Sequence, residues 1–387
     1  MEQPMAPAKH TLWRKSLVLG ATALLSACAV VPKAPVETPS APPPPTAQLP
    51  TDEGRHRIAL LVPLAGPGGA LGQAMENATT MALLDTNATR IRITTYDTSQ
   101  GAPAAAAKAL ADGNRLILGP MLGDDALAVA QTARANHVPV ISYTGDAGVA
   151  GNDVFVMGTI PAQSISRVVK FARAQGVTRF AALMPLGYYG ERAGNATIAA
   201  VRAAGGTLVG MESYDRTKGA LTAAVRRLKG RGNFDAVVIG DTAAMAAQAA
   251  PLLKVAAPNL HILGNELWAG EAIVAHTPAL NGAWFAALSD QRFGRFTESY
   301  KQRFGQSPYR AATLGYDSVL LTLRIAREWA PGTPFPTGRM LDRGGFLGLD
   351  GIFRFNANQV IERALEVREA RGGAVNVLNP APARFED

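Results

Sequence analysis

The sequence predicts an α/β protein made of two doubly wound, parallel-sheet lobes. Three observations predict it. From Arg57 onward, short β-branched or apolar runs alternate with Ala-rich segments at helical spacing, and strand–helix–strand units of that kind form parallel sheets with helices on both faces. The strands fall into two series, about five and then about four, followed by segments that fit neither series in order. The length, 387 residues, is that of roughly two domains.

Composition excludes other classes. The chain is 48% apolar and 18% charged, too apolar for a disordered polymer and sufficient for a large core. Its single cysteine cannot close a disulfide within the chain. The net charge is +8, but no Lys/Arg run exceeds two residues and none is interleaved with aromatic residues. The charge therefore reads as a solvated basic surface, and no nucleic-acid partner is expected.

Taken in order, the chain opens with Lys9, His10, Arg14 and Lys15 ahead of the apolar stretch Leu17–Leu25. That stretch is too short to span a bilayer and reads as a secretory leader. It ends in Leu25-Ser26-Ala27-Cys28, which resembles the lipobox of bacterial lipoproteins; the resemblance implies lipidation at Cys28. Acyl chains there would anchor the protein to a membrane, and the resemblance implies the periplasmic face of the outer membrane, since Ala29 stands where such lipoproteins carry an aspartate when they are retained in the inner membrane. Ala29–Pro50 holds eight prolines in 22 residues; as polyproline II at about 3.1 Å per residue it would reach roughly 70 Å.

Strands are expected at Ile58–Leu64, Ile91–Tyr96, Leu116–Leu118, Pro139–Ser142, Val154–Met157, Phe180–Met184, Leu208–Glu212, Ala236–Ile239 and Leu260–Leu263, with helices between them. After Leu263 come two helices without an intervening strand, Arg292–Phe304 and Arg310–Trp329, and a last β-like run at Gly351–Phe355. The expected organisation is leader 1–27, lipidated linker 28–56, lobe 1 from 57–160 plus 286–335, lobe 2 from 161–285 plus 336–379, and a tail 380–387. Open α/β sheets bind ligands beyond the carboxyl ends of their strands, so function is sought in the loops that follow them.

Those loops give catalysis no positive support. Gly66-Pro67-Gly68-Gly69-Ala70-Leu71-Gly72 follows a strand and opens a helix, but Leu71 stands where a dinucleotide fingerprint needs its third glycine. The histidines have no ligand spacing, so no metal is expected; no G-x-S-x-G elbow occurs. Asp124-Asp125 are expected to cap a helix and complement its dipole. No cofactor is expected and the chain is not read as an enzyme.

Gly66-Pro67, Asp97-Thr98, Leu118-Gly119-Pro120, Val138-Pro139-Val140-Ile141-Ser142, Tyr189-Gly190 and Leu263-Gly264 resemble the leucine-binding branch of type I periplasmic binding proteins. Within it, Gly282-Ala283-Trp284-Phe285-Ala286, Leu314-Gly315-Tyr316-Asp317-Ser318 and the run from Gly345-Phe346 to Phe353-Arg354-Phe355 resemble proteobacterial lipoproteins that activate penicillin-binding proteins. The first resemblance implies that hydroxyls in the loops after the third and fourth strands hold a ligand carboxylate. Here those positions are Gly123 and Asp146, so one donor is missing and the other is an anion, which opposes a carboxylate in a desolvated cleft. Glu266 falls at the family's ammonium-binding acid and Tyr189 opens the second lobe as in the family.

The cleft candidates are therefore Gly123, Tyr143, Thr144, Asp146, Tyr189, Asp241, Glu266 and Trp268. Trp268, Trp284 and Phe285 read either as interface anchors or as core. Two functions stay open. One is activation of a class A penicillin-binding protein, regulating peptidoglycan synthesis by contact. The other is solute capture for an importer of amino acids or a related small ligand.

Overall fold

The computed structural model describes residues 54–255 and 257–385. The leader, Cys28 and the proline-rich stretch lie outside the described residues. His56, placed at the end of the linker by sequence, is already the first residue of β1 (His56–Val62).

Lobe 1 continues with α1 (Gly69–Asp85), β2 (Ile91–Asp97), α2 (Ala102–Ala111), β3 (Ile117–Leu118), α3 (Gly123–Arg134), β4 (Val140–Ser142) and β5 (Val154–Val156). Its five strands are parallel in the order β2-β1-β3-β4-β5. Ile58 to Val62 are each fully buried, because a central parallel strand is covered on both faces and must be apolar at consecutive positions. Gly72 has a packing reason, not a phosphate-binding one. A Cβ there would lie 1.7 Å from the Pro63 carbonyl oxygen, so only glycine lets α1 rest on the end of β1. Asp124 and Asp125 occupy the first turn of α3 but make no side-chain cap bond; they complement the dipole and do not cap.

The chain then crosses into lobe 2 with α4 (Pro161–Ala174), β6 (Arg179–Pro185), α5 (Tyr188–Ala203), β7 (Thr207–Tyr214), α6 (Lys218–Lys229), β8 (Ala236–Ile239), α7 (Ala243–Lys254), β9 (His261–Gly264), α8 (Ala272–His276) and β10 (Trp284–Ala287). It returns to lobe 1 through α9 (Phe293–Phe304), α10 (Thr313–Ala326) and the strands β11 (Phe346–Gly348), β12 (Gly351–Phe355) and β13 (Ile361–Arg363). A final crossing adds β14 (Glu366–Arg371) and β15 (Ala374–Asn379) to lobe 2. The second sheet has seven strands, β15-β14-β10-β9-β8-β6-β7. β14 alone is reversed, antiparallel to both of its neighbours, β10 and β15, while the other pairs of the sheet are parallel, and α5 repeats the device of α1, with a Cβ on Gly190 falling 1.6 Å from the Pro185 carbonyl oxygen.

This arrangement corrects the expected lobe boundaries. Met340, Phe346, Phe353, Phe355 and Ile361 are buried in the lobe 1 core, with the Phe355 ring edge-on to Phe155 at 5.3 Å. Residues 336–361 thus cover lobe 1, not lobe 2, while Ala286 and Ala287 belong to lobe 2 within β10. Alternation of large apolar residues reveals that a short strand has a buried face, but it carries no information about which of two cores that face meets.

Candidate functional site

The loops at the carboxyl ends of the strands bring one group of the candidates together between the lobes. After β4, Asp146 Oδ1 accepts from Gly148 N at 2.8 Å and Asp146 N donates to Thr144 Oγ1 at 3.1 Å. Gly123, at the start of α3, lies beneath this carboxylate: a Cβ on it would be 3.3 Å from Asp146 Oδ2 and 3.6 Å from Thr144 Oγ1. From lobe 2, Tyr188 Oη donates to Asp146 Oδ2 at 2.7 Å and Arg192 forms an ion pair with Asp146 Oδ1. Partial burial would raise the Asp146 pKa, but the hydrogen bonds from Arg192, Tyr188 and Gly148 outweigh it and lower the value.

A second cluster lies wholly in lobe 2. Tyr189 Oη donates to Glu266 Oε1 at 2.8 Å and accepts from Asn265 Nδ2 at 2.9 Å, while Ser164 Oγ donates to Glu266 Oε2. Burial, then the Glu266 charge, raises the Tyr189 pKa well above a free phenol. Both carboxylate oxygens of Glu266 therefore already hold a donor from the protein itself.

Three candidates are turned elsewhere. Tyr143 points into lobe 1, its hydroxyl 2.8 Å from Ser318 Oγ on α10. Asp241 is fully buried and saturated by Tyr214 Oη at 2.8 Å, Arg216 Nη2 at 3.0 Å and Thr242 N at 2.7 Å. Trp268 is fully buried in the lobe 2 core, with its Nε1 donating to the Asp241 carbonyl at 3.0 Å. Its ring occupies the space of a side chain at Gly264. Trp284 and Phe285 are also core, Trp284 stacked on His261 at 4.3 Å.

Sequence reasoning missed Tyr188, Arg192, Ser164 and Asn265. Arg192 had a signal, since Tyr188 and Arg192 are four apart at the opening of a helix and so share one face.

A family model described as periplasmic binding protein matches residues 56–344. The chain belongs to this family. Among solved structures, a putative branched-chain amino acid ABC transporter protein from Rhodospirillum rubrum is similar with a TM-score of 0.73 at 20% identity, covering 84% of this chain and 100% of that one. A leucine complex of an ABC transporter substrate-binding protein from Desulfitobacterium hafniense is similar at TM-score 0.63 and 18% identity, over 84% of this chain and 100% of that one. The C-domain of LpoA from Haemophilus influenzae, a regulator of PBP1A, is similar at TM-score 0.65 and 20% identity, over 83% of this chain and 99% of that one. At these identities the likeness establishes the fold that family members share. Among curated proteins, an uncharacterized protein of Rickettsia prowazekii is 26% identical over 179 residues, 46% of this chain and 48% of that protein, so the chain matches about half the length of that relative.

Proposed function

We propose that this family member is a non-enzymatic envelope protein that regulates peptidoglycan synthesis by direct contact with a class A penicillin-binding protein, held at the outer membrane through Cys28. The observation that carries this reading is the ion pair between Asp146 and Arg192: Asp146 stands at a position where the leucine-binding resemblance implies a donor for a ligand carboxylate, and its charge is already matched from within the protein. With Glu266 spent on Ser164 and Tyr189, neither end of a zwitterion finds free partners, and each protein bond displaced would have to be replaced by the ligand. The likeness to a regulator of a penicillin-binding protein supports the same reading. It is tested by adding the purified full chain in detergent to each class A penicillin-binding protein of the same organism and measuring glycan polymerisation and cross-linking. A rise in either rate is expected; no binding and no rise with any of them refutes it.

Solute capture is favoured by one observation, the retained Tyr189–Glu266 pair. It predicts stabilisation by about 2.7 kcal/mol at a hundredfold excess over the dissociation constant for leucine or a related small ligand, read as a rise in Tm.

A further inference from the structure

The chain meets lobe 1 once more after its last strand. β15 is antiparallel to β14, which is antiparallel to β10, so the carboxyl end of β15 faces lobe 1 as the end of β10 does. Pro380, Ala381, Pro382 and Ala383 then border a cavity of about 950 Å³ between the lobes, together with Leu347 and Leu349 of lobe 1. Beyond them Phe385 reaches the β11–β12 hairpin. The Arg354 guanidinium lies over its ring at 4.5 Å, and the ring rests on Gly345, where a Cβ would be 3.2 Å from Phe385 Cε2. Residues 380–385 thus make a fourth connection between the lobes, after the three crossings.

Both ends of this connection are tied. In lobe 2, Arg167 of α4 donates from Nη2 to Oδ1 of Asn379, the last residue of β15, and from Nε to the Leu365 carbonyl at 2.9 Å, in the third crossing. In lobe 1, Arg354 Nε donates to Glu362 Oε2 at 2.8 Å, so the cation over the Phe385 ring is itself held. Between its ends the segment is short and weakly held. Six residues reach at most about 20 Å, two prolines restrict the backbone, and among the described residues 380–385 make no main-chain hydrogen bond. In strand order, β14 and β10, which carry two of the crossings, separate β15 from β8 and β6, whose carboxyl ends lead to Asp241 and Tyr189. The connection and the cleft loops therefore flank the hinge, and a rotation that brings the lobes together on one side parts them on the other.

We propose that Pro380–Phe385 is a strap that limits rotation of the lobes about their three crossings, with the Phe385 ring as its releasable anchor. The strap stands or falls separately from the contact function. The test is hydrogen exchange on the full chain, read at the Arg363 amide. That amide donates to Gln163 Oε1 at 3.1 Å, a bond from the end of β13 to α4 and hence from lobe 1 to lobe 2, so it should exchange faster when the hinge loosens. Phe385→Ala should speed it by about threefold or more, while Phe385→Trp, which keeps an aromatic ring under Arg354, should leave it at the wild-type rate. Pro380→Gly/Pro382→Gly slackens the strap without touching its anchor, and should speed Arg363 while the β11 amides, 346–348, stay at wild-type rates. The β1 amides, 58–62, should change in none of these variants, which separates a looser hinge from a general loss of stability. Faster exchange confined to 346–348 in Phe385→Ala would make the ring a local cover of the hairpin and overturn the strap. Wild-type exchange at Arg363 in both Phe385→Ala and the proline variant would overturn it too. Should Phe385→Ala misfold by circular dichroism, the proline variant decides.

Discussion

The carboxylate of Asp146, on the loop after β4, is held by the guanidinium of Arg192 on α5, an ion pair between lobe 1 and lobe 2. The Arg192 side chain also lies over the Tyr188 ring at 5.3 Å and donates to the Tyr188 hydroxyl at 2.6 Å. The two charged side chains are 28% and 24% exposed, an intermediate setting in which geometry, more than charge alone, sets the strength.

Replacing either partner should weaken the contact between the lobes. Arg192→Ala or Asp146→Asn is expected to cost about 1–2 kcal/mol in urea denaturation and to enlarge the radius of gyration in solution scattering. The double variant should cost less than the sum of the two singles; strict additivity would show that the pair is not coupled.

The same pair contributes an acid-side dependence. The Asp146 pKa is lowered in the folded state by Arg192, Tyr188 and Gly148 against the opposing effect of burial, so its contribution is present above the unfolded value of about 3.9 and is lost as pH falls below it. Asp146→Asn should flatten the urea-midpoint profile on the acid side of about pH 4.

Asp317 acts with the opposite sign. It is fully buried on α10; burial first, then the nearby Asp350 charge, pushes its pKa up to about 7, against lowering by Arg363 and by the amides of Leu349 and Asp350. Asp350 itself is held by Arg310 at 2.8 Å and Thr313 at 2.7 Å, and Asp317 Oδ2 has no partner among the described residues. The folded state thus binds a proton that the unfolded chain releases, so stability falls as pH rises from about 4 to about 7, by up to a few kcal/mol. Asp317→Asn should be more stable than the wild type at alkaline pH, and the difference should close in acid. Equal urea midpoints at alkaline pH would contradict a protonated Asp317.

The pocket can be tested by rebuilding. A side chain at Gly123 alone would crowd Asp146 at 3.3 Å, whereas Gly123→Ser with Asp146→Thr restores two hydroxyls and frees Arg192 to meet a ligand carboxylate. Calorimetry should then detect leucine-like amino acids that the wild type does not bind; silence from the double variant would remove the pocket argument.

Glycine at the two strand ends should be indispensable. Gly72→Ala and Gly190→Ala each place a Cβ inside the radius of a carbonyl oxygen, and each should cost about 2–4 kcal/mol in urea denaturation, since backbone must move to accept it.

Much of the fold was legible because its signals are local. The run Ile58 to Val62 and the Ala-rich face of α1 each encode burial within a few residues. β14 escaped notice because its sequence, Glu-Val-Arg-Glu-Ala-Arg, is mostly charged; Glu366 and Arg368 are nonetheless buried as partners of one another. Trp268 was drawn into the cleft by its loop position, yet the space left by Gly264 turns its ring into the core.

By itself the sequence determined the α/β rhythm, the two lobes, and the absence of a hydroxyl pair at Gly123 and Asp146, because each is written in residue types at known positions along strands and loops. Only the tertiary structure decided that 336–361 covers lobe 1, that β15 is the last strand of the second sheet, and that Asp146 is neutralised by a side chain 46 residues away. Such partners are chosen by which surfaces the folded lobes bring within a few ångströms, a distance that spacing along the chain does not encode.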